Sequence, residues 1–206
     1  MSLYVAIPCM DTIPTEFASS LLTLHVPPKS AYGFTVATLV YDARNTLAKS
    51  VLETKEFDRV LWLDSDMKFT NDLAERLSAD IDEGRDFVSG LYVARKEPIK
   101  PIIFSSCGYK VNDKGKPETY ADFYMDYPRD EVFEVGAAGF GCLMVTRDLL
   151  EKVYQNYGAP FAPLPGFGED LSFCHRCKEL GIKMYCDSRI KCGHIGTKVY
   201  TENDLN

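Results

Sequence analysis

The stretch RVLWLDSDMKF, residues 59–69, decides how this chain is read. Val60, Leu61, Trp62 and Leu63 form a short apolar run of the kind that makes a buried strand. The run stops at two aspartates, Asp64 and Asp66, with Ser65 between them. Two like charges at a strand end repel each other unless something positive, most simply a metal ion, sits beside them. Alternation along the strand direction places positions 64 and 66 on one face, so both carboxylates can reach one ligand.

Working outward, the run is the third strand in an alternation of strands and helices. LYVAIPC (3–9) and GFTVATLV (33–40) read as the first two strands, with a helix at 15–26 between them. DARNTLAKSVLE (42–53) reads as a helix capped by Asp42. A further helix at 70–80 and a strand at 86–94 continue the pattern, which predicts a parallel α/β sheet. Residues 95–130, with prolines at 98, 101, 117 and 128, predict a meander of short strands and loops. Order resumes over 131–153, followed by a helix at 168–182 and a last strand and loop at 183–196. In such sheets ligands bind beyond the carboxyl ends of the strands, where Asp64 and Asp66 fall.

Composition bounds the function. A chain of 206 residues that is 46% hydrophobic and 26% charged predicts one soluble domain, 1–206. A formal charge of -7 argues against a surface built to grip polyanions. No apolar run is long enough to span a bilayer, and MSLYVAIPCMD lacks the pattern of a signal peptide, so a cytoplasmic protein is expected. The seven cysteines, an odd number, are expected as reduced thiols. Cys174, Cys177, Cys186 and Cys192 have zinc-like spacing, but the first two fall inside a helical pattern, which favours buried packing.

Two more constellations carry chemistry. GFGEDLSFCHR puts Glu169 and Asp170 at a helix start, where the macrodipole favours acids and a carboxylate can serve as general base. KCGHIG sets His194 between glycines after the last strand, a plausible neutral metal ligand once an Asp-X-Asp is present. A haloacid-dehalogenase-like phosphatase fits poorly: its motif follows the first strand and has Thr or Val where this chain has Lys68.

In their order, VAIPC, DARNTLAKSVLE, VLWLDSDMKF, GEDLSFCHRCKELG and DSRIKCGHIGTKVY resemble the GT-A fold glycosyltransferases. The likeness is to family-2-like enzymes, including short phage and bacterial forms, in which case a phage-encoded chain would work in the host cytoplasm. The resemblance implies a mixed, mostly parallel central sheet flanked by helices, with 1–94 as a nucleotide-binding half and 95–206 as an acceptor-side half. It also implies transfer of a sugar, with inversion, from a nucleotide-sugar (a UDP-sugar) to a hydroxyl. Asp66 and His194 would bind Mn²⁺ or Mg²⁺, with Asp64 near the ion or the ribose. Pro8, Cys9, Arg44 and Ser65 would join Asp64 in holding the donor, and Asp170 would be the base supported by Glu169.

Gly139 and Phe140, within GAAGFG (136–141), and Gly168 are expected on the acceptor side, where missing side chains admit a substrate. The acceptor stays open among a glycan, a protein, a lipid-linked saccharide and a modified nucleobase. A nucleotidyltransferase of the same fold and a non-catalytic nucleotide-sugar-binding module are the alternatives. Residues 95–135 are short and unfamiliar against the resemblance.

Overall fold

The computed structural model describes residues 2–36 and 39–205. The chain runs β1 (Leu3–Cys9), α1 (Thr15–Leu22), β2 (Ser30–Val36), α2 (Val40–Thr54), β3 (Arg59–Leu63) and β4 (Met67–Lys68). It continues through α3 (Leu73–Asp82), β5 (Phe87–Leu91), β6 (Ile103–Val111), β7 (Pro117–Phe123), β8 (Val132–Val135) and β9 (Ala137–Ala138). Then come β10 (Cys142–Thr146), α4 (Arg147–Tyr157), α5 (Glu169–Glu179), β11 (Met184–Lys191), β12 (Gly193–Ile195) and β13 (Val199–Tyr200).

Seven strands form the central sheet in the order β2-β1-β3-β10-β5-β11-β8. β1, β2, β3, β5 and β11 run one way, while β10 and β8 run against their neighbours. The sheet is therefore mixed and mostly parallel, as expected. β3 shows why its sequence is continuously apolar. Val60 and Trp62 enter the core on one face of the sheet, while Leu61 and Leu63 enter the core on the other. A strand buried on both faces has no polar side to show.

The sheet order positions the site. β10 lies between β3 and β5, and Cys142 pairs with Leu63 at the end of β3. The residues just before β10 are thereby brought beside the aspartates, and the Asp64 N–H donates to the Gly141 carbonyl at 3.0 Å. On the other side of the turn, β4 pairs with β12, with His194 opposite Met67. The Ile195 N–H donates to the Asp66 carbonyl at 2.7 Å. Asp66 and His194 are thus held on neighbouring backbones.

Several expectations shift. α2 begins at Val40 and not at Asp42; its N-cap is Leu39, and Asp42 lies in the first turn, where its charge still faces the helix dipole. Residues 37 and 38 of the expected second strand lie outside the described residues. α1 ends at Leu22, four residues short of the expected end. The middle region is a hairpin of two longer strands, β6 and β7, closed where Asn112 Oδ1 accepts from the Lys114 and Lys116 N–H groups. Local turn chemistry was visible there, but strand length came from pairing across the hairpin.

GAAGFG is a filled wall, not an open one. A Cβ at Gly139 would lie 2.1 Å from Tyr92 Oη and 2.5 Å from Ile102 Cγ2, and one at Gly141 would lie 2.8 Å from Tyr92 Cζ. The missing side chains make room for the Tyr92 ring and not for a substrate. Phe140 is likewise in the core, edge-on to Trp62, Phe87, Phe161 and Phe173. The acceptor-side expectation for Gly139 and Phe140 is corrected accordingly. Gly139→Ala is expected to lower stability by about 1–3 kcal/mol, because overpacking forces neighbours off their preferred positions. Urea denaturation would measure it; an unchanged midpoint would show that Tyr92 moves aside freely.

Candidate active site

Arg44 is the centre of the site. It projects from α2 and is 1% exposed. Its Nη2 donates to Asp64 Oδ1 at 2.7 Å and its Nε to Glu169 Oε1 at 3.3 Å. Its guanidinium carbon lies 5.3 Å from the centroid of the Phe140 ring and 5.9 Å from those of Trp62 and Phe161. Asn45, the next residue, fixes Phe161 by accepting from its N–H at 2.9 Å. One buried guanidinium therefore joins β3 to the start of α5. This differs from the expected role: Arg44 is committed to carboxylates, and its Nη1 is buried without a hydrogen-bond partner. Asp64 is correspondingly turned to Arg44, and the neighbouring Asp66 charge adds to burial in pushing its carboxyl up.

Glu169 and Asp170 occupy the first turn of α5 behind Gly168, its N-cap. The loop ahead of the helix is tied down by Ser172, whose hydroxyl donates to the Gly168 carbonyl at 2.6 Å and accepts from the Leu164 N–H at 2.8 Å. Gly168 is exposed, and a Cβ there would meet Asp170 Oδ1 at 3.0 Å. The glycine leaves the Asp170 carboxylate unobstructed. Asp170 Oδ1 accepts from the Leu171 N–H at 2.7 Å.

Asp66 and His194 form the third part. His194 Nδ1 lies 2.9 Å from the Val93 carbonyl, which can only accept, so Nδ1 carries a proton. Nε2 then faces Asp66 Oδ2 at 3.4 Å. Arg95 Nη1 contacts the same oxygen. The Tyr92 ring meets the His194 ring edge-on at 5.6 Å, and the Gly141 N–H donates to Tyr92 Oη at 3.1 Å.

A cavity of about 540 Å³ opens beside Arg44, Asp64, Asp66 and Glu169, while Asp170 and His194 stand behind these residues and do not line it. Pro8, Cys9, Arg44, Asp64, Ser65, Asp66 and Glu169 all line it, so most of the expected donor-side residues share one space. Pro8 and Cys9 are the last two residues of β1 itself, not of the loop after it. Met10, Leu39, Val40, Tyr41 and Ala43 complete the lining and were not foreseen, since nothing distinguishes them from core residues in the sequence. Tyr92 and Arg95 were also missed. Tyr92 follows the end of β5, the strand end where ligands are expected, which is the one signal that could have flagged it. Cys174, Cys177, Cys186 and Cys192 are buried free thiols divided between the two sides of the sheet.

The electrostatics follow from the count of charges. Asp64, Asp66, Glu169 and Asp170 gather around two guanidiniums, those of Arg44 and Arg95. Burial works against the charge on Arg44, but Asp64, Glu169 and Asp170 outweigh it and keep it protonated. One cation cannot hold three carboxylates low. Burial pushes Asp64 up, and burial followed by the neighbouring Glu169 pushes Asp170 up to about 6. Burial also opposes ionisation of Asp66, but His194 and Arg95 outweigh it and hold the carboxyl below its usual range.

The surplus of negative charge suits a divalent cation. A carboxylate oxygen and an imidazole nitrogen are a fitting pair for Mn²⁺ or Mg²⁺, ions that take further ligands from phosphate and water. Among the described residues no group of three or more His, Cys, Asp or Glu side chains converges as a metal site. The pair is all the protein would contribute.

No family model matches the chain, and no curated protein matches its sequence. Solved structures do. A197 from STIV aligns with a TM-score of 0.68 at 21% identity, over 95% of this chain and 86% of that one. GalNAc-T7, solved with UDP, GalNAc and Mn²⁺, aligns with a TM-score of 0.62 at 12% identity. The fold is GT-A. The alignment covers 95% of this chain but 43% of GalNAc-T7, so the likeness is to part of that protein. Within the GT-A fold described here, no helix among the described residues is long and apolar enough to cross a membrane.

Replacing Arg44 tests the core of the site. Arg44→Met strands two carboxylates and is expected to cost about 3–5 kcal/mol. Arg44→Lys should recover little, because one ammonium cannot reproduce two fork contacts. Equal stability of Arg44→Lys and the parent in guanidinium denaturation would contradict this.

Asp170 gives a second test. Its native pKa of about 6 lies above the unfolded value of roughly 3.9, so the folded state holds the proton more tightly. The stability this group contributes is complete below roughly pH 4 and is lost as pH rises through the folded pKa. Asp170→Asn is expected to be more stable than the parent at pH 8 by about 1–2 kcal/mol. It should also have a flatter melting profile between pH 4 and 7, measured by calorimetry.

Proposed function

We propose that this protein is a metal-dependent, inverting glycosyltransferase of the family-2-like kind, moving a sugar from a UDP-sugar to a hydroxyl acceptor. The observation that carries the reading is the cavity lined by Asp64, Asp66, Arg44 and Glu169, with His194 in contact with Asp66 and the raised-pKa Asp170 next to Glu169 in the same first turn of α5. The GT-A fold, shared with a protein solved with UDP, GalNAc and Mn²⁺, supports it.

In this reading Pro8, Cys9 and Met10 bound the nucleotide at the end of β1. Asp66 and His194 hold the divalent ion, whose positive charge would favour departure of the nucleoside diphosphate. Asp64 and Ser65 lie along the donor, with Asp64 braced by Arg44. Asp170 takes the proton from the attacking hydroxyl, and a carboxylate tuned towards neutrality is suited to that work. Glu169 keeps Arg44 in place and adds negative charge next to Asp170. Single displacement by a hydroxyl activated this way inverts the sugar carbon. The reading places the work in the cytoplasm, with a glycan, protein, lipid-linked saccharide or modified nucleobase as acceptor.

A nucleotidyltransferase of this fold would have no need of the base. Asp170→Asn is therefore expected to lower transfer by about 10²–10⁴-fold, the usual range for losing a positioned acid or base. UDP binding should stay within a factor of two or so. Thermal-shift screening of nucleotide-sugars with and without Mn²⁺ finds the donor, since a ligand held only by the native state raises the melting temperature. Retained transfer in Asp170→Asn would remove the base role. Absence of any donor shift across the panel would remove the nucleotide-sugar reading. The parent enzyme should lose activity below about pH 6, as Asp170 becomes protonated.

A further inference from the structure

Three side chains, Asp66, His194 and Arg95, meet at Asp66 Oδ2. His194 Nε2 faces it at 3.4 Å, and Arg95 Nη1 donates to it while also donating to the Ile195 carbonyl at 3.1 Å. Two of the three are fixed. Asp66 is pinned through its own carbonyl to the Ile195 N–H at 2.7 Å, and His194 through Nδ1 to Val93 at 2.9 Å. Arg95 is different. Its side chain is 50% exposed and leaves the segment between β5 and β6, so its guanidinium has open space to move into.

The Arg95 guanidinium and the His194 ring meet at the same oxygen of Asp66, so the guanidinium occupies a position at which an ion held by Asp66 and His194 would sit. The geometry points to Arg95 as a stand-in cation: it and a divalent ion compete for Asp66, and the ion binds only as the guanidinium leaves. The inference rests on Asp66 and His194 being the ion's protein ligands, as in the proposed function. Its physical basis is that the guanidinium satisfies a half-buried carboxylate when no ion is bound. An ion arriving at the same oxygen would meet a second positive charge in contact with it. The apparent affinity for the ion is then reduced by the fraction of molecules in which Arg95 occupies the carboxylate. Arg95 would set the concentration at which the site fills.

The test is Mn²⁺ binding to the full chain without any donor, read from the free-ion electron paramagnetic resonance signal. Arg95→Gln is expected to bind Mn²⁺ about fivefold tighter than the parent, the scale of a partly exposed ion pair. Arg95→Lys, which keeps the charge, should fall between them. Without metal, Arg95→Gln should melt below the parent, and saturating Mn²⁺ should close that gap. This melting comparison also shows that the variant is folded. Mn²⁺ binding by Arg95→Gln alone would support the competition in its strongest form. Equal or weaker binding by Arg95→Gln would overturn the competition and leave the proposed function standing. If neither protein binds Mn²⁺, the metal-dependent reading falls together with the inference.

Discussion

Everything at the site depends on one buried positive charge. Arg44 takes two carboxylates from elements that are distant in sequence, Asp64 after β3 and Glu169 at the start of α5, and closes them under three aromatic rings. The arrangement is costly to assemble, because a guanidinium and its partners all leave water. What it fixes is the spacing between the donor-side strand and the helix carrying Asp170. It also leaves more negative charge than it neutralises. Burial, with that surplus added to it, raises Asp64 and Asp170, and the surplus makes the neighbouring Asp66 a favourable place for a cation.

Much of the fold and part of the site were legible in the residues. The uninterrupted apolar run of β3, its abrupt end in Asp64 and Asp66, and the acidic first turn of α5 are local signals, and local signals survive folding. Glu169 and the aspartates do meet at one cavity. What the chain did not disclose was pairing. Nothing near Arg44 in sequence says that its partners are carboxylates, and nothing near Gly139 says that Tyr92 fills the space above it. Both facts arise because β10 enters between β3 and β5, a long-range choice with no local marker. The glycine-rich stretch was misread for the same reason: glycine reports that something approaches closely, not what approaches.

The site also divides its two kinds of chemistry between two kinds of support. Asp66 and His194 sit on backbones joined by β4 and β12 pairing, and their geometry is set by main-chain hydrogen bonds. Asp170 stands half-buried at a helix start beside an exposed glycine, with one carboxylate oxygen tied to its own neighbour's N–H. Rigid backbone suits cation binding, where small displacements weaken ligation. A half-buried carboxylate beside a second acid instead holds its proton more tightly than an exposed one.

The position of β10 has a further consequence for how the chain comes to be folded. β3 ends just before Asp64 inside the sheet, yet one of its two neighbours comes from residues 142–146. During synthesis β1, β2 and β3 can associate as soon as they emerge, but the open edge of β3 stays an apolar, unpaired strand until most of the chain has followed. Pairings of such long sequence separation are slow to form and leave an aggregation-prone edge in the interval. The strand that places the charged groups is thus the one whose completion depends on the far end of the molecule. The newborn chain has Asp64 and Asp66 before it has the neighbour that holds β3 in place.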